Sequence, residues 1–329
     1  MSIWKKYRCC GKITSLGRYF TATKYLLSSI AQVVSRWLAE EHPRCALTQY
    51  ELAIALVPIY RDHAYRDTPI YLQKDFPGAT DVNRVRTLLL RSGVLKADER
   101  GNRSYSLVVA RPPEDQAELA CAIDPACYAS HYSAMVYHGL TDRFPNITVI
   151  TTPSKDGWDE FVRRRLERDL GALRSRYEAG GLPPLQRFRV KPARKAMSTS
   201  YYQSGLTPSY VLMRDGRLRV SSIGRVFLEM LRQPDLCGGM AHIATSFAES
   251  GARYADLIIT EVDRFGGPID KVRAGYLLEL LASVTDPRID AWTTFVSRGG
   301  SRVLDPGAPY APEFSKRWSL SINLPGLPT

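Results

Sequence analysis

No stretch of the 329-residue sequence stays apolar for the roughly 18 residues that a membrane-spanning helix needs. The longest candidate, Tyr25 to Ala39, is interrupted by Arg36, so no membrane partner is expected. Cysteine is scarce as well. Six irregularly placed residues cannot staple a chain of this length, which excludes a disulfide scaffold and points to a reducing, cytoplasmic setting. Signatures of common enzyme chemistry are missing: no Gly-x-x-x-x-Gly-Lys phosphate loop, no glycine fingerprint after a strand, no Gly-x-Ser-x-Gly elbow. Without an elbow, Ser133, His138 and Asp142 are a chance grouping and not a hydrolase triad. Cys121, Cys127, His131 and His138 fit no common zinc spacing, and Glu261 and Asp263 fall on a helical pattern instead of strand ends. The chain is therefore expected to be no enzyme and to need neither cofactor nor metal.

What the sequence has in excess is positive charge, a net +12 at neutral pH. Clustered Lys and Arg release counterions when they replace them at phosphates, so nucleic acid is the commonest partner for such a chain. Lys5, Lys6, Arg8, Lys12, Arg18, Lys24 and Arg36 all precede the first acid, Glu40. Residues 1–22 form a basic N-terminal extension, for which a transit peptide, an arm on DNA backbone and a solvated tail all stay open.

Residues 23–111 have the order of a winged helix-turn-helix. Leu26, Leu27, Ile30, Val33, Val34, Trp37 and Leu38 recur at helical spacing between Thr23 and Glu41. Thr48 caps a second helix, and Pro58 to Gly78 reads as a long connection. Thr80 then caps a third helix that buries Val82, Val85, Leu88 and Leu89 and is stopped by Gly93. Its other side shows Asn83, Arg84, Thr87 and Arg91, types that hydrogen-bond base edges and phosphates in a major groove. A hairpin over Val94–Ala97 and Ser104–Val109 follows as the wing, with Arg100, Asn102 and Arg103 at its tip.

Residues 115–329 form a mixed body, with a further division into 115–205 and 206–329, so the fold class is α+β. Helical patterns cover Tyr128–Leu140, Trp158–Tyr177, Ser222–Leu231, Met240–Glu249, Tyr254–Phe265 and Lys271–Ala282. Strands are expected over Ile147–Thr152, Phe188–Val190, Ala291–Ser297 and Trp318–Ile322, with a hairpin around Arg214-Asp215-Gly216. Between residues 160 and 200 eleven basic residues face four acidic ones. Arg163, Arg164, Arg165, Arg168, Lys191, Arg194 and Lys195 in this stretch make a second basic surface that can lengthen a footprint on DNA.

Two blocks carry a family likeness. Tyr128-Ala-Ser-His-Tyr-Ser-Ala-Met-Val-Tyr-His-Gly-Leu-Thr-Asp142 is one. The other runs from Ser222 to Glu279 and includes Arg225-Val-Phe-Leu-Glu-Met-Leu-Arg-Gln-Pro-Asp-Leu-Cys-Gly-Gly239 and Lys271-Val-Arg-Ala-Gly-Tyr-Leu-Leu-Glu279. Over roughly residues 115–290 the chain resembles the AbiEi family, the antitoxins of abortive-infection E systems. The resemblance implies a transcriptional regulator that represses its own toxin-antitoxin operon by binding inverted repeats in the promoter. It also implies a nucleotidyltransferase-type toxin, counteracted in antiviral defence without a stable complex. On that reading the chain is a monomer in solution or a dimer on DNA. The rival is an interaction protein whose basic body binds the toxin or its RNA or nucleotide substrate. The blocks themselves are mostly Gly, Leu, Tyr and Ala, a composition that reads as packing.

Overall fold

The computed structural model describes residues 29–97, 104–108, 110–143, 147–188, 198–296 and 302–328. The chain divides into two compact units. One comprises the residues up to Pro113 together with Arg163–Gln186, and the other comprises Glu114–Val162 and Arg187–Thr329. Both mix helices with short strands gathered in small sheets, an α+β fold.

In the first unit, helix α1 (Ser29–Glu40) buries Ile30, Val33, Val34 and Leu38 along one stripe. Strand β1 (Ala46–Thr48) runs directly into α2 (Gln49–Asp62), because Thr48 both ends the strand and caps the helix. Its hydroxyl accepts from the Glu51 N–H at 3.1 Å, and the Glu51 carboxylate accepts from the Thr48 N–H at 2.9 Å. Two orphan donors are thereby satisfied. The helix continues past Pro58, where a connection was expected, since the ring lies on the solvent side and water can meet the freed carbonyl. Short strands β2 (Ala64–Tyr65) and β3 (Thr68–Pro69) pair as a tight hairpin.

Helix α3 (Ala79–Arg91) packs Val82, Val85 and Leu89 against α1 and α2. It starts earlier than its sequence indicates: Gly78 holds the cap position, and the Asp81 carboxylate reaches back to accept the Gly78 N–H at 2.9 Å. Strands β4 (Leu95–Ala97) and β5 (Ser104–Leu107) follow, with β5 antiparallel to both β1 and β4 in the order β1-β5-β4.

The second unit is built on a five-stranded mixed sheet. It contains α4 (Gln116–Ile123), β6 (Tyr128–Ala129), α5 (His131–Tyr137), β7 (Ile147–Pro153) and the beginning of α6 (Lys155–Leu170). After α7 (Arg174–Ala179), which groups with the first unit, come β8 (Ser198–Ser204), β9 (Tyr210–Met213) and β10 (Leu218–Ser221). The sheet order is β8-β7-β6-β10-β9. Buried Arg219 on β10 donates to the carbonyls of Cys121, Asp124 and Cys127, closing the C-terminal end of α4 with a cation.

A helical layer completes this unit: α8 (Ile223–Arg232), α9 (Met240–Ser250), α10 (Ala255–Phe265), α11 (Pro268–Tyr276) with a π turn over Leu277–Leu281, and α12 (Pro287–Ala291). Strands β11 (Phe314–Ser315) and β12 (Leu320–Ser321) form a terminal hairpin. The Trp318 ring packs against Gly275, where a Cβ would meet it at 2.1 Å.

Three local expectations differ. Tyr128–Leu140 is not one helix, because Tyr128 and Ala129 pair in the sheet before α5 begins. Trp292–Phe295 is a 3-10 turn where a strand was expected, and β8 was not foreseen. Phe188 lies outside any strand, and residues 189 and 190 fall outside the described residues. Among the described residues no helix is long and apolar enough to cross a membrane.

Candidate nucleic-acid interface

The solvent face of α3 is a polar row. Thr80, Asn83, Arg84 and Arg91 are exposed and Thr87 is half-buried, a spacing of three, four and seven that keeps them on one side of the helix. Arg84 and Arg91 make no hydrogen bond or ion pair among the described residues, and the Asn83 amide is equally uncommitted. The Thr87 hydroxyl is not, since it donates to the Asn83 carbonyl at 2.8 Å within the helix. Thr80 was read from sequence as a cap. With Gly78 and Asp81 closing the helix end, Thr80 joins the exposed row, and its i, i+3, i+4 relation to Asn83 and Arg84 is the signal that finds it.

Behind this row the helix is anchored. Burial would raise the Asp81 carboxyl, but the Gly78 N–H and the Lys74 ammonium at 3.1 Å hold it below its ordinary value. Tyr60 is pushed up to about 12, first by burial and then by the Asp81 charge. Arg86 is half-buried and turns to the sheet, where its Nη1 approaches the Tyr105 hydroxyl at 3.4 Å. It supports the interface from within. Arg100, Asn102 and Arg103, expected from sequence at a wing tip, lie outside the described residues.

The second basic surface separates into distinct roles. Arg163 and Arg164 are exposed on α6. Arg165 turns inward, its Nε 2.5 Å from Asp169, and Asp169 also accepts from the Tyr50 hydroxyl of α2 at 2.9 Å. Arg165 is thus part of a structural tie. Arg168 reaches the same carboxylate at 3.3 Å while staying 66% exposed. Further ties bind this segment within the first unit: Tyr50 packs edge-on to Tyr177, and Arg176 donates to Asp75 at 2.6 and 3.0 Å while covering the Phe76 ring. Exposed Arg163, Arg164 and Arg168 therefore share a compact unit with α3. Lys191, Arg194 and Lys195 lie outside the described residues.

The two blocks singled out in the sequence, Tyr128–Asp142 and Ser222–Glu279, meet in the interior of the second unit. His131, buried and at a left-handed φ of 50°, donates its N–H to Glu229 at 2.8 Å, and its ring lies 2.9 Å from the Ser130 hydroxyl and 3.3 Å from Gln233. Glu229 also accepts from Ser221 at 2.8 Å. Arg225, 1% exposed, reaches Glu261 at 2.6 Å and the Thr207 carbonyl at 3.0 Å. Gly238, at a φ of +86°, lets Tyr132 approach to where a Cβ would be 2.8 Å away, and Tyr132 stacks on His242. Glu279 accepts from the Trp318 ring N–H at 2.8 Å, and the Tyr276 hydroxyl donates to the Pro328 carbonyl at 2.6 Å. These residues lock elements together. The cavity beside Arg225, Glu229 and Gln233 is about 20 Å³, room for a single water molecule.

Among the residues weighed for catalysis or metal binding, the buried Cys121 and Cys127 thiols lie beside each other, while Ser133 and His138 engage separate partners. Ser133 accepts from the Val149 N–H at 2.8 Å, while His138 donates from Nε2 to the Ser221 carbonyl at 2.6 Å. The Cys127 thiol points at the Asp124 carbonyl, and burial pushes it well up. Among the described residues no three metal-ligating side chains come together. Compared with known proteins, the chain matches no family model and no curated protein.

Proposed function

We propose that this chain is a sequence-specific DNA-binding protein of the winged helix-turn-helix kind, with α3 as the recognition helix and β4 and β5 as the base of the wing. One observation carries the reading. The order α1-β1-α2-β2-β3-α3-β4-β5, with β5 between β1 and β4, buries one stripe of α3 and leaves the side chains of Asn83, Arg84 and Arg91 in solvent with no hydrogen bond or ion pair among the described residues. A helix so presented fits a major groove, where Arg matches guanine and Asn matches adenine bidentately. Thr80 and Thr87 flank them, and Arg100, Asn102 and Arg103 grip phosphate or minor groove from the wing.

The operon-level role is proposed from the AbiEi resemblance: an antitoxin that represses its own operon and counteracts a nucleotidyltransferase-type toxin. The rival reading gave the basic stretch to the body for binding toxin or RNA. Grouping of Arg163–Gln186 with the unit that carries α3 favours phosphate contacts on the same duplex instead.

A gel-shift titration on the DNA upstream of the gene, at about 50 and about 200 mM salt, tests this, with affinity expected to fall by two or more decades. Arg84→Ala is expected to lose about 1 to 3 kcal/mol on the cognate site and relax specificity, whereas Arg164→Ala weakens every sequence alike. Equal losses for both variants on cognate and scrambled DNA, or no preference for the upstream site, would remove the assignment.

A further inference from the structure

We infer that β9 is a docking edge for a second copy of this chain, which pairs antiparallel with the same strand of that copy about a two-fold axis. β9 closes one side of the five-stranded sheet, and no strand follows it among the described residues. Its sequence, Tyr210-Val211-Leu212-Met213, is uncharged, yet Tyr210 is 42%, Val211 40% and Leu212 64% exposed. Proteins ordinarily blunt an open edge with lysine, proline or a bulge, because unpaired N–H and C=O groups recruit another strand. β9 carries no such device within its span. The opposite edge, β8, is built of Ser, Thr, Tyr and Gln.

Pairing within the hairpin fixes the register. The Ser222 N–H donates to the Ser209 carbonyl at 3.1 Å and Val211 lies opposite Val220, so Ser209, Val211 and Met213 turn their backbone groups toward β10. Tyr210 and Leu212 direct theirs at the open edge. A two-fold axis through Val211 matches each Tyr210 with Leu212 of the other copy, closes about four backbone hydrogen bonds, and sets Val211 against Val211. Aromatic meets aliphatic and β-branched meets β-branched, both favourable cross-strand pairs. No like charges meet either. Arg214 falls opposite Pro208, and its guanidinium is already held by Asp115 at 2.8 Å and Glu118 at 3.1 Å. Beside Tyr210 lies a cavity of about 420 Å³ lined by Pro125, Ala126, Phe161 and Pro208, on the face where Leu212 of the other copy arrives.

A pairing this short buries far less than the roughly 800 Å² per partner of a stable interface, so the association is weak and concentration-dependent. It rests on the sheet alone and stands or falls separately from DNA binding. Sedimentation velocity of the full chain, from low to high micromolar, is expected to show a reversible dimer. Val211→Lys, which opposes two like charges, raises its Kd about ten-fold or more. Val211→Cys places two Cα atoms about 4.5 Å apart, within disulfide reach, so mild oxidation gives a covalent dimer. Leu212→Cys alone does not cross-link, whereas mixed with Tyr210→Cys it does. Thermal melts confirm that each variant is folded. A monomer at every concentration with no cross-linking of Val211→Cys above wild type overturns the inference. So does a dimer that Val211→Lys leaves intact, or a Leu212→Cys variant that links to itself as readily as Val211→Cys.

Discussion

The solvent face of α3 in the first unit and the interior of the second treat polar side chains in opposite ways. On α3, the side chains of Asn83, Arg84 and Arg91 stand in solvent and make no hydrogen bond or ion pair among the described residues, whereas Ser130, His131, Ser221, Arg225 and Glu229 lie buried and engage neighbours at 2.6 to 3.3 Å. Both sets are rich in hydrogen-bonding capacity. The first has it unused at the surface, and unused capacity on a rigid helix is what an outside ligand can take up. The second set stabilises one arrangement of strands and helices, because a buried polar group without its partner is destabilising.

The contrast can be broken most forcefully at Arg225. Arg225→Ala leaves Glu261 without its cation and is expected to lower stability by about 3 to 5 kcal/mol in urea denaturation. A loss comparable to that of an ordinary surface substitution would show that the pair is not structural. Gly275→Ala comes next, since the added methyl has no room against Trp318 and overpacking destabilises by about 1 to 3 kcal/mol. An unchanged melting temperature would mean that Trp318 is free to move aside.

His138 sharpens the comparison through pH. Burial, partly countered by the bond to the Ser221 carbonyl, holds its imidazole below the ordinary value. The unfolded chain therefore takes up the proton first as pH falls below about 6.5, so the stabilisation is present above that value and lost as pH falls toward the folded pKa. His138→Gln keeps an N–H donor and does not titrate. Its stability deficit relative to wild type is expected to shrink between about pH 7.5 and 5.5 by roughly 1 kcal/mol or less, and a deficit independent of pH would refute the assignment. The smallest effect belongs to Arg84→Ala, which should alter stability by less than about 0.5 kcal/mol while weakening binding to DNA. A large drop in melting temperature would place Arg84 with the structural group.

Local pattern made much of this architecture legible. The stripe Ile30, Val33, Val34, Leu38 and the buried face Val82, Val85, Leu89 follow helical spacing, the Thr48 cap is a matter of residue type, and Arg214-Asp215-Gly216 names the β9–β10 turn. What escaped notice depends on distant partners. β8 has no apolar alternation and exists because β7 pairs along its whole length. Thr293, Thr294 and Phe295 have strand-forming side chains yet turn, since Trp292 is held by Asp263. For the candidate interface, the α3 row could be read directly. The inward turn of Arg165 toward Asp169, four positions on, could not, because Asp169 is fixed by Tyr50, which lies more than a hundred positions away along the chain.

That link between Tyr50 and Asp169 also bears on how the molecule is made. The first unit is interrupted in the chain by Glu114–Val162, so it lacks the segment carrying Asp169 and Tyr177 until translation has passed well beyond β5. At ordinary elongation rates this is a delay of several seconds. During it, the nascent Tyr50 side chain has neither Asp169 nor Tyr177 to pack on, while β6 and β7 emerge from the ribosome before β9 and β10, so completion of either unit waits on residues synthesised after the other has begun.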